Sequence, residues 1–171
     1  TILKTIPFNV LWQEFRIDDS PWSPNNIEFV YSIYPLWDEE KYGKRPGTYK
    51  TEKEGVFIYN IDLDTHKQIA PKGNKATWSP KGNLIAYEYY NIIYLYNIST
   101  GTTEVLYTGK KSETLMAIHW TPDGECVYIV CPRHLGNFYR MKWDEKLIRI
   151  SDKKEMEFEK LYIGNNRFTW K

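Results

Sequence analysis

Residue types that commonly carry enzyme chemistry are few and scattered in this chain of 171 residues. The three histidines, His66, His119 and His134, lie far apart in the sequence. His119 stands beside a tryptophan on an alternating segment, which favours a packing or hydrogen-bonding role over a catalytic one. The sequence contains no G-x-S-x-G, H-E-x-x-H or Gly-rich phosphate-binding motif. We therefore predict no catalytic residues and a chain that is not an enzyme.

Cysteines and carboxylates also lack the spacing of a metal site. Cys126 and Cys131 are five positions apart within one predicted strand, so their side chains point to opposite faces and cannot form a disulfide. Asp62 and Asp64 flank Leu63 at the tip of a predicted hairpin and could hold a cation as paired carboxylates. Asp is also common in turns, and we favour that role. No metal and no cofactor is predicted.

A repeated tripeptide organises the chain. Trp22-Ser23-Pro24, Trp78-Ser79-Pro80 and Trp120-Thr121-Pro122 each begin a turn, because proline presets φ for a turn, and each precedes an apolar strand. Trp78 and Trp120 lie about 42 residues apart, which is the length of one four-stranded propeller blade. The interval between Trp22 and Trp78 is longer, and its surplus falls in a polar and aromatic stretch from 35 to 55.

These residues carry a resemblance to a known family. A W-S-P-x-G turn followed by an apolar strand, an I-Y-L-type strand and a turn with Gly resembles the TolB-type β-propeller repeat. The same repeat occurs in the propellers of prolyl oligopeptidase and dipeptidyl-peptidase-like proteins. The resemblance covers residues 20–151 and is informative about the fold rather than the function. Asn26 replaces the family's Gly in the first copy, and Asn tolerates left-handed backbone.

We predict an all-β chain that forms a single β-propeller domain over residues 1–171, with blades of four antiparallel strands. The three repeat tryptophans are expected to occupy equivalent buried positions. Three complete blades are predicted over residues 20–70, 75–107 and 114–151. The strands predicted after Trp78 are 84–89, 92–96 and 103–107, and the outer strands predicted for the third blade are 137–143 and 146–150.

The two ends of the chain are predicted to be half-blades. Residues 1–17 resemble the last two strands of a blade, and residues 156–171 resemble the first two. Together they could form a composite fourth blade that closes the ring and removes exposed strand edges. The alternative is a slice of a larger propeller, in which these edges stay open to pairing between chains.

Composition excludes several classes of protein. An apolar content of 42% and an aromatic content of 16% are too high for a disordered chain. The 23 basic and 22 acidic residues give a net charge of +1, so no general attraction to nucleic acid is expected. No apolar run is long enough to span a membrane. The compartment is left open, and the family resemblance favours an extracytoplasmic one.

The candidate binding residues lie in the insertion from 35 to 55. Trp37, Tyr42, Arg45 and Tyr49 are grouped in a segment that the repeat does not need, and aromatic residues with Arg are typical of recognition surfaces. Alternatively, Trp37 and Tyr42 pack on their own blade or fill the central channel. Long loops in compact domains are often functional, which keeps the first interpretation open.

Two functions remain possible from the sequence. The first is a non-catalytic recognition or sensor domain that binds a protein, a peptide or a glycan through the face with the insertion. The second is the propeller portion of a larger peptidase or hydrolase, which gates or orients substrate. An α/β-hydrolase region with a nucleophile elbow elsewhere in the full-length protein would support the second.

Overall fold

In a computed structural model, the described parts of the chain are residues 13–16, 21–35, 54–110, 114–134 and 141–156. These ranges contain twelve β-strands and no helix, which confirms the predicted all-β class. Consistent with this, none of the described residues forms a helix that could cross a membrane.

Three antiparallel sheets of four strands account for all twelve strands. Each sheet keeps its strands in sequence order, as expected for consecutive hairpins. The first sheet contains β1 (Gln13–Arg16), β2 (Glu28–Pro35), β3 (Gly55–Asn60) and β4 (Thr65–Ala70). The second contains β5 (Asn74–Trp78), β6 (Leu84–Tyr89), β7 (Ile92–Asn97) and β8 (Thr103–Thr108). The third contains β9 (Ala117–Trp120), β10 (Cys126–His134), β11 (Met141–Arg149) and β12 (Glu155–Met156).

The repeated tripeptide forms the same turn in each sheet. In the second sheet the amide of Lys81 donates to Ser79 Oγ at 3.2 Å, and the amide of Gly82 donates to the Ser79 carbonyl at 2.8 Å. Gly82 has a φ of 77° and the corresponding Asn26 a φ of 58°. The left-handed position is thus filled by the two residue types that tolerate it best. The Asn in the first copy therefore preserves the turn.

Neighbouring sheets pack face to face through two apolar cores. Strand alternation places one set of side chains toward the preceding sheet and the other toward the following sheet. The core between the first and second sheets contains Val30, Val56, Ile58, Ala70, Ala76, Trp78, Ile85, Tyr87 and Tyr96. The core between the second and third contains Ala86, Ile93, Leu95, Leu106, Leu115, Ile118, Val127, Ile129, Cys131 and Ile148.

Two of the three repeat tryptophans pack between described sheets. Trp78 is 3% exposed, and its Nε1 donates to the Gly82 carbonyl at 3.2 Å. Trp120 is partly buried against the core between the second and third sheets, with its Nε1 donating to the Thr77 carbonyl at 3.2 Å. Trp22 is 48% exposed, so the expectation of equivalent burial is wrong for this residue. The reason is that each tryptophan packs on the preceding sheet, and Trp22 belongs to the first described one.

Strand β1 corrects the predicted half-blade of residues 1–17. Gln13–Arg16 pairs with β2, Arg16 lying opposite Ser32, and is the first strand of the first sheet rather than an outer strand of a further blade. The ladder resumes at Trp22, which bridges to Phe29. An apolar pattern predicts a strand but does not identify the strand with which it pairs. The prediction therefore placed this segment in the wrong blade.

The third sheet also differs from the prediction. Residues 141–149 form one strand where two strands, 137–143 and 146–150, were predicted. The strand continues through its polar residues: Lys146 is 8% exposed, and its ammonium lies 5.0 Å from the centroid of the Tyr107 ring. The outermost strand is Glu155–Met156, which takes Met156 out of the predicted terminal hairpin. Residues 1–12 and 157–171 lie outside the described residues, so the composite blade stays a prediction.

The three sheets are aligned with their repeated turns on one side. A Cβ atom at Gly82 would lie 3.2 Å from the Pro24 ring, and one at Gly124 would lie 3.1 Å from Lys81 Cγ. Lys81 also forms an ion pair with Glu125 in the next turn. We call this side the turn edge. The opposite side, where β2, β6 and β10 end, is called the insertion edge.

Candidate recognition site

Residues 36–54 connect β2 to β3 at the insertion edge. Strand β2 ends at Pro35 and β3 begins at Gly55, so the segment lies between the second and third strands of its sheet, where the sequence placed it. The predicted binding residues Trp37, Tyr42, Arg45 and Tyr49 lie outside the described residues. Their role stays a prediction, and the candidate site consists of the described residues of the same edge.

A pair of tyrosines forms the turn of the second sheet at this edge. Tyr90 and Asn91 connect β6 to β7 with φ values of 48° and 65°. A type I′ hairpin turn requires two such positive values in succession. Tyr90 is 50% exposed, and its ring centroid lies 4.4 Å from that of Tyr89 at an interplanar angle of 57°. Lys72 Nζ lies 5.8 Å from the Tyr89 centroid, so the turn presents aromatic side chains beside a cation.

A largely buried ion pair between Lys75 and Glu88 supports this turn. Glu88 is 7% exposed, and its Oε1 accepts a hydrogen bond of 2.7 Å from the amide of Asn91. Lys75 Nζ donates to Glu88 Oε2 at 3.3 Å and to the Leu115 carbonyl at 2.6 Å. Each buried charge is thus paired and hydrogen-bonded, which is the condition for tolerating it away from water.

Asn91 ties the turn to the connection between the second and third sheets. Its Nδ2 donates to the Lys110 carbonyl at 3.0 Å, and its Oδ1 accepts from the Leu115 amide at 3.0 Å. Its own carbonyl accepts from the Gly109 amide at 2.8 Å. The described residues of this connection are therefore anchored at both ends. Met116, directly after Leu115, is 48% exposed at the same edge.

The sequence did not identify this turn as part of a site. The signal was present, because Asn is a preferred residue at the central positions of a two-residue hairpin turn. What the sequence could not show is that Asn91 also reaches the connection after β8, since this contact joins residues 24 positions apart. The exposure of Tyr90 likewise depends on how the second and third sheets pack.

His66 lies in the first sheet and His119 in the third, so these two described imidazoles do not form a common site. The Tyr31 hydroxyl and His66 Nδ1 are 2.7 Å apart in the first sheet, and burial raises the pKa of Tyr31 to about 12. The His119 ring lies 6.2 Å from that of Tyr128 in the third sheet. Burial, together with Glu145, raises the pKa of Tyr128 to about 12. The side chain of His134 lies outside the described residues.

Asp64 serves the hairpin turn after β3. It has a φ of 54°, and its Oδ1 accepts a hydrogen bond of 2.6 Å from the Tyr59 hydroxyl. Within the described ranges, no group of three or more His, Cys, Asp or Glu residues is arranged to hold a metal ion. The positive φ of Asp64 agrees with the turn-forming role that we favoured for this aspartate.

Both cysteines are buried, and they are not joined in a disulfide. Cys131 belongs to the core between the second and third sheets, whereas Cys126 Sγ lies 3.9 Å from Met156 Sδ outside that core. The prediction that they point to opposite faces is confirmed. Burial raises the pKa of the Cys126 thiol, which lowers its reactivity as a thiolate.

Solved structures with the same arrangement of sheets are TolB-like and peptidase β-propeller domains, which confirms the suspected fold. An oligogalacturonate lyase from Vibrio parahaemolyticus superposes with a TM-score of 0.64 at 9% identity, over 88% of this chain and 41% of the lyase chain. A structure from Agrobacterium tumefaciens assigned as TolB has a TM-score of 0.56 at 15% identity, over 84% of this chain and 47% of that chain.

A peptidase propeller gives the same result. The acylaminoacyl peptidase of Pyrococcus horikoshii has a TM-score of 0.57 at 15% identity, over 85% of this chain and 24% of the peptidase. This chain thus spans less than half of each of these proteins. No family model matches it, and no curated protein matches it. Likeness at such low identity shows the fold alone.

Proposed function

We propose that this chain is a non-catalytic recognition domain that binds a protein or peptide partner through its insertion edge. Trp37, Tyr42, Arg45 and Tyr49 of the insertion are the proposed contacts. They would act together with the described turn at Tyr90. Large aromatic side chains and Arg are the residues that most often dominate binding energy at interfaces.

The observation that supports this proposal is a hydrogen-bonded edge with exposed apolar side chains. The Lys75–Glu88 pair and Asn91 fix the turn and the neighbouring connection, while Tyr90 and Met116 remain about half exposed. A surface that is ordered before binding loses less conformational entropy when a partner docks. The edge is therefore suited to recognition even without a contribution from the insertion.

The finer architecture is part of the same proposal. The first sheet carries a buried aromatic cluster, Phe29, Tyr31, Phe57 and Tyr59, on the face directed away from the second sheet. In a propeller another blade covers such a face. We propose that residues 1–12 and 157–171 supply this blade and close a four-bladed ring.

A second function is the propeller of a larger peptidase or hydrolase. The observation that favours it is the fold similarity to a peptidase of which this chain spans only 24%. In that case the insertion edge would gate or orient a substrate for a separate catalytic domain. The complete reading frame distinguishes the two functions, because an α/β-hydrolase region with a G-x-S-x-G elbow would support the peptidase alternative.

Shortening the insertion tests the proposed function. Residues 36–53 are replaced by a four-residue turn, and peptide-displaying phage are selected on the immobilised wild-type and shortened proteins. Pro35 and Gly55 are retained because they are the last residue of β2 and the first residue of β3. Gly55 must also stay glycine, because a Cβ atom at this position would collide with the carbonyl oxygen of Ala70. We expect peptide enrichment on the wild type and its loss on the shortened protein.

Thermal unfolding provides the control for this experiment. Loop-closure free energy changes by only about 0.6 kcal/mol for each doubling of loop length, so the shortened protein should remain folded. A melting temperature many degrees lower would show that the insertion packs in the core. Equal enrichment on both proteins would place the recognition surface elsewhere.

A further inference from the structure

The outer strands of the first and second sheets share an irregularity in their pairing. Strands β4 and β8, here called the rim strands, stand last in their sheets and pair on one side among the described strands. We infer that one extra residue in each rim strand, Ile69 in β4 and Leu106 in β8, prevents a second copy of this chain from adding a strand there. This inference concerns the rim and is independent of the proposed function.

The pairing registers locate the extra residues. The ladder between β3 and β4 skips Ile69, because Val56 lies opposite Ala70 and the next residue of β3 lies opposite Gln68. The ladder between β7 and β8 skips Leu106 in the same way. In both sheets the shift follows the second residue of the third strand. Such a β-bulge bends a strand and disrupts its row of hydrogen-bonding groups, so both rim strands are interrupted at the same place in the repeat.

Packing against the following sheet holds each bulge in place. Successive side chains of a regular strand point to opposite faces of the sheet. At the bulge of β8, however, Leu106 and Tyr107 both pack in the core between the second and third sheets, and Leu106 is 4% exposed. Ile69 and Ala70 both pack in the core between the first and second sheets. A rim strand therefore cannot straighten without withdrawing an apolar side chain from a core.

The composition of β8 shows why a straight rim strand would pair with another chain. Thr103–Thr108 has the sequence T-E-V-L-Y-T, which contains no proline and one charged residue. Segments rich in β-branched and aromatic residues with little net charge pair readily between chains. The one charge, Glu104, is ion-paired with Lys153 at 2.8 Å, and Val105 is 42% exposed. Charge and proline, which commonly protect edge strands, therefore contribute little here, and protection depends on the bulge.

Two variants of the full chain separate the shape of β8 from the packing of its leucine. Leu106→Ala keeps the bulge and loses the side chain, whereas deletion of Leu106 loses both and gives β7 and β8 a continuous register. Both variants should melt roughly 5–15 °C below the wild type, because each lacks the same buried side chain. We expect only the deletion variant to self-associate as its concentration rises, measured by light scattering after size-exclusion chromatography.

A lysine on the rim provides the rescue test. Val105→Lys in the deletion variant should restore the wild-type oligomeric state, because a charged lysine opposes strand addition at an edge. The same substitution in the wild type should leave its oligomeric state unchanged.

Amide hydrogen exchange locates the contact. The amides of β8 should exchange at least about tenfold more slowly in the associated deletion variant than in Leu106→Ala. The wild type alone gives a further measurement, which stands even if the deletion variant does not fold. Exchange at its β4 and β8 amides should not depend on protein concentration, because neither rim strand accepts a second copy.

Four results would contradict the inference. A deletion variant that is folded by circular dichroism and keeps the wild-type oligomeric state would show that the bulge does not prevent pairing. Self-association of Leu106→Ala to the same extent would assign the effect to lost stability rather than to strand shape. Association that persists with Val105→Lys would place the contact outside β8. Slower exchange at β4 or β8 in the wild type as its concentration rises would show that a bulged rim strand still accepts a partner strand.

Discussion

Trp22 and Trp78 show how position in the stack, rather than residue type, determines burial. Both begin the same turn, and each pairs with the second residue of the strand that follows it, Phe29 or Ile85. Trp78 has the first sheet packed against it, whereas the ring contact of Trp22 among the described residues is a tilted one with Phe29, at 5.4 Å between ring centroids. The repeat therefore specifies the backbone position of each tryptophan, and the neighbouring sheet determines how much the side chain contributes to the stability of the fold.

Substituting these two tryptophans should give very different losses of stability. Trp78→Ala removes a buried indole and leaves a cavity, so we expect the free energy of unfolding to fall by about 3–5 kcal/mol. Trp22→Ala should cost less than Trp78→Ala, because about half of the Trp22 surface contacts water. Urea denaturation followed by circular dichroism measures both, and equal losses would show that Trp22 is covered in solution.

At the scale of elements, the second sheet was predicted well because local signals agree. Its strands 84–89, 92–97 and 103–108 match the predicted ranges to within one residue, since Gly82, Asn91 and Gly101 mark the turns between them. Each of these residues has a positive φ, so the turn chemistry and the hydrophobic pattern specify the same boundaries. Local consistency of this kind can be read from a sequence.

The third sheet was predicted less well because long-range contacts determine it. Lys146 is polar, but its register opposite Ile129 directs it toward the second sheet, where it meets Tyr107. That pairing depends on packing between sheets and has no local signal. The contacts of the candidate site follow the same rule, since Lys75 reaches the carbonyl of Leu115, 40 residues away.

The connection between the second and third sheets depends on the side chain of Asn91. Asn91→Gly leaves the backbone free to keep its φ of 65°. The substitution thus removes the two side-chain hydrogen bonds without straining the turn. We expect a loss of about 1–3 kcal/mol in unfolding free energy, because the Leu115 amide and the Lys110 carbonyl lose their partners. Faster hydrogen exchange at the Leu115 amide, with strand amides of the first sheet unaffected, would locate the effect.

Asn91→Asp serves as the matched variant. It retains the acceptor for the Leu115 amide and loses the donor to the Lys110 carbonyl, so its stability should fall between that of the wild type and Asn91→Gly. If Asn91→Gly is as stable as the wild type, the two side-chain hydrogen bonds contribute nothing, and Leu115 packing together with the Gly109 and Lys75 hydrogen bonds holds the connection.

For the whole molecule, face-to-face stacking leaves two terminal sheets with different outer faces. The outer face of the first sheet, which points away from the second sheet, carries aromatic side chains. The outer face of the third sheet also points away from the second sheet, and it carries Tyr128 and Leu147. Where two described sheets meet, the face that carries the repeat tryptophan of one sheet packs on the face of the preceding sheet that carries no repeat tryptophan. A fourth sheet inserted between the two outer faces would repeat this contact twice, which is the physical basis for the proposed ring.

Removing either proposed half of the closing blade should therefore damage the whole domain. Deletion of residues 1–12 retains β1, and deletion of residues 157–171 retains β12, so neither removes a described strand. We expect each deletion to lower the melting temperature and to cause self-association, because unpaired strand edges and an uncovered aromatic face become available to other chains. Differential scanning fluorimetry and light scattering after size-exclusion chromatography measure the two effects.

Shortening residues 36–53 to a four-residue turn provides a control of similar size, since it removes nearly the same length of chain as deletion of residues 157–171. That variant should remain monomeric with little change in melting temperature, because a loop is lost and no blade is interrupted. Mixing the two deletion variants adds a further test, since each retains the half that the other lacks and association between them would rebuild one closing blade. If a chain without residues 1–12 stays monomeric and melts as the wild type does, the four-bladed ring is wrong and the three sheets are part of a larger or open arrangement.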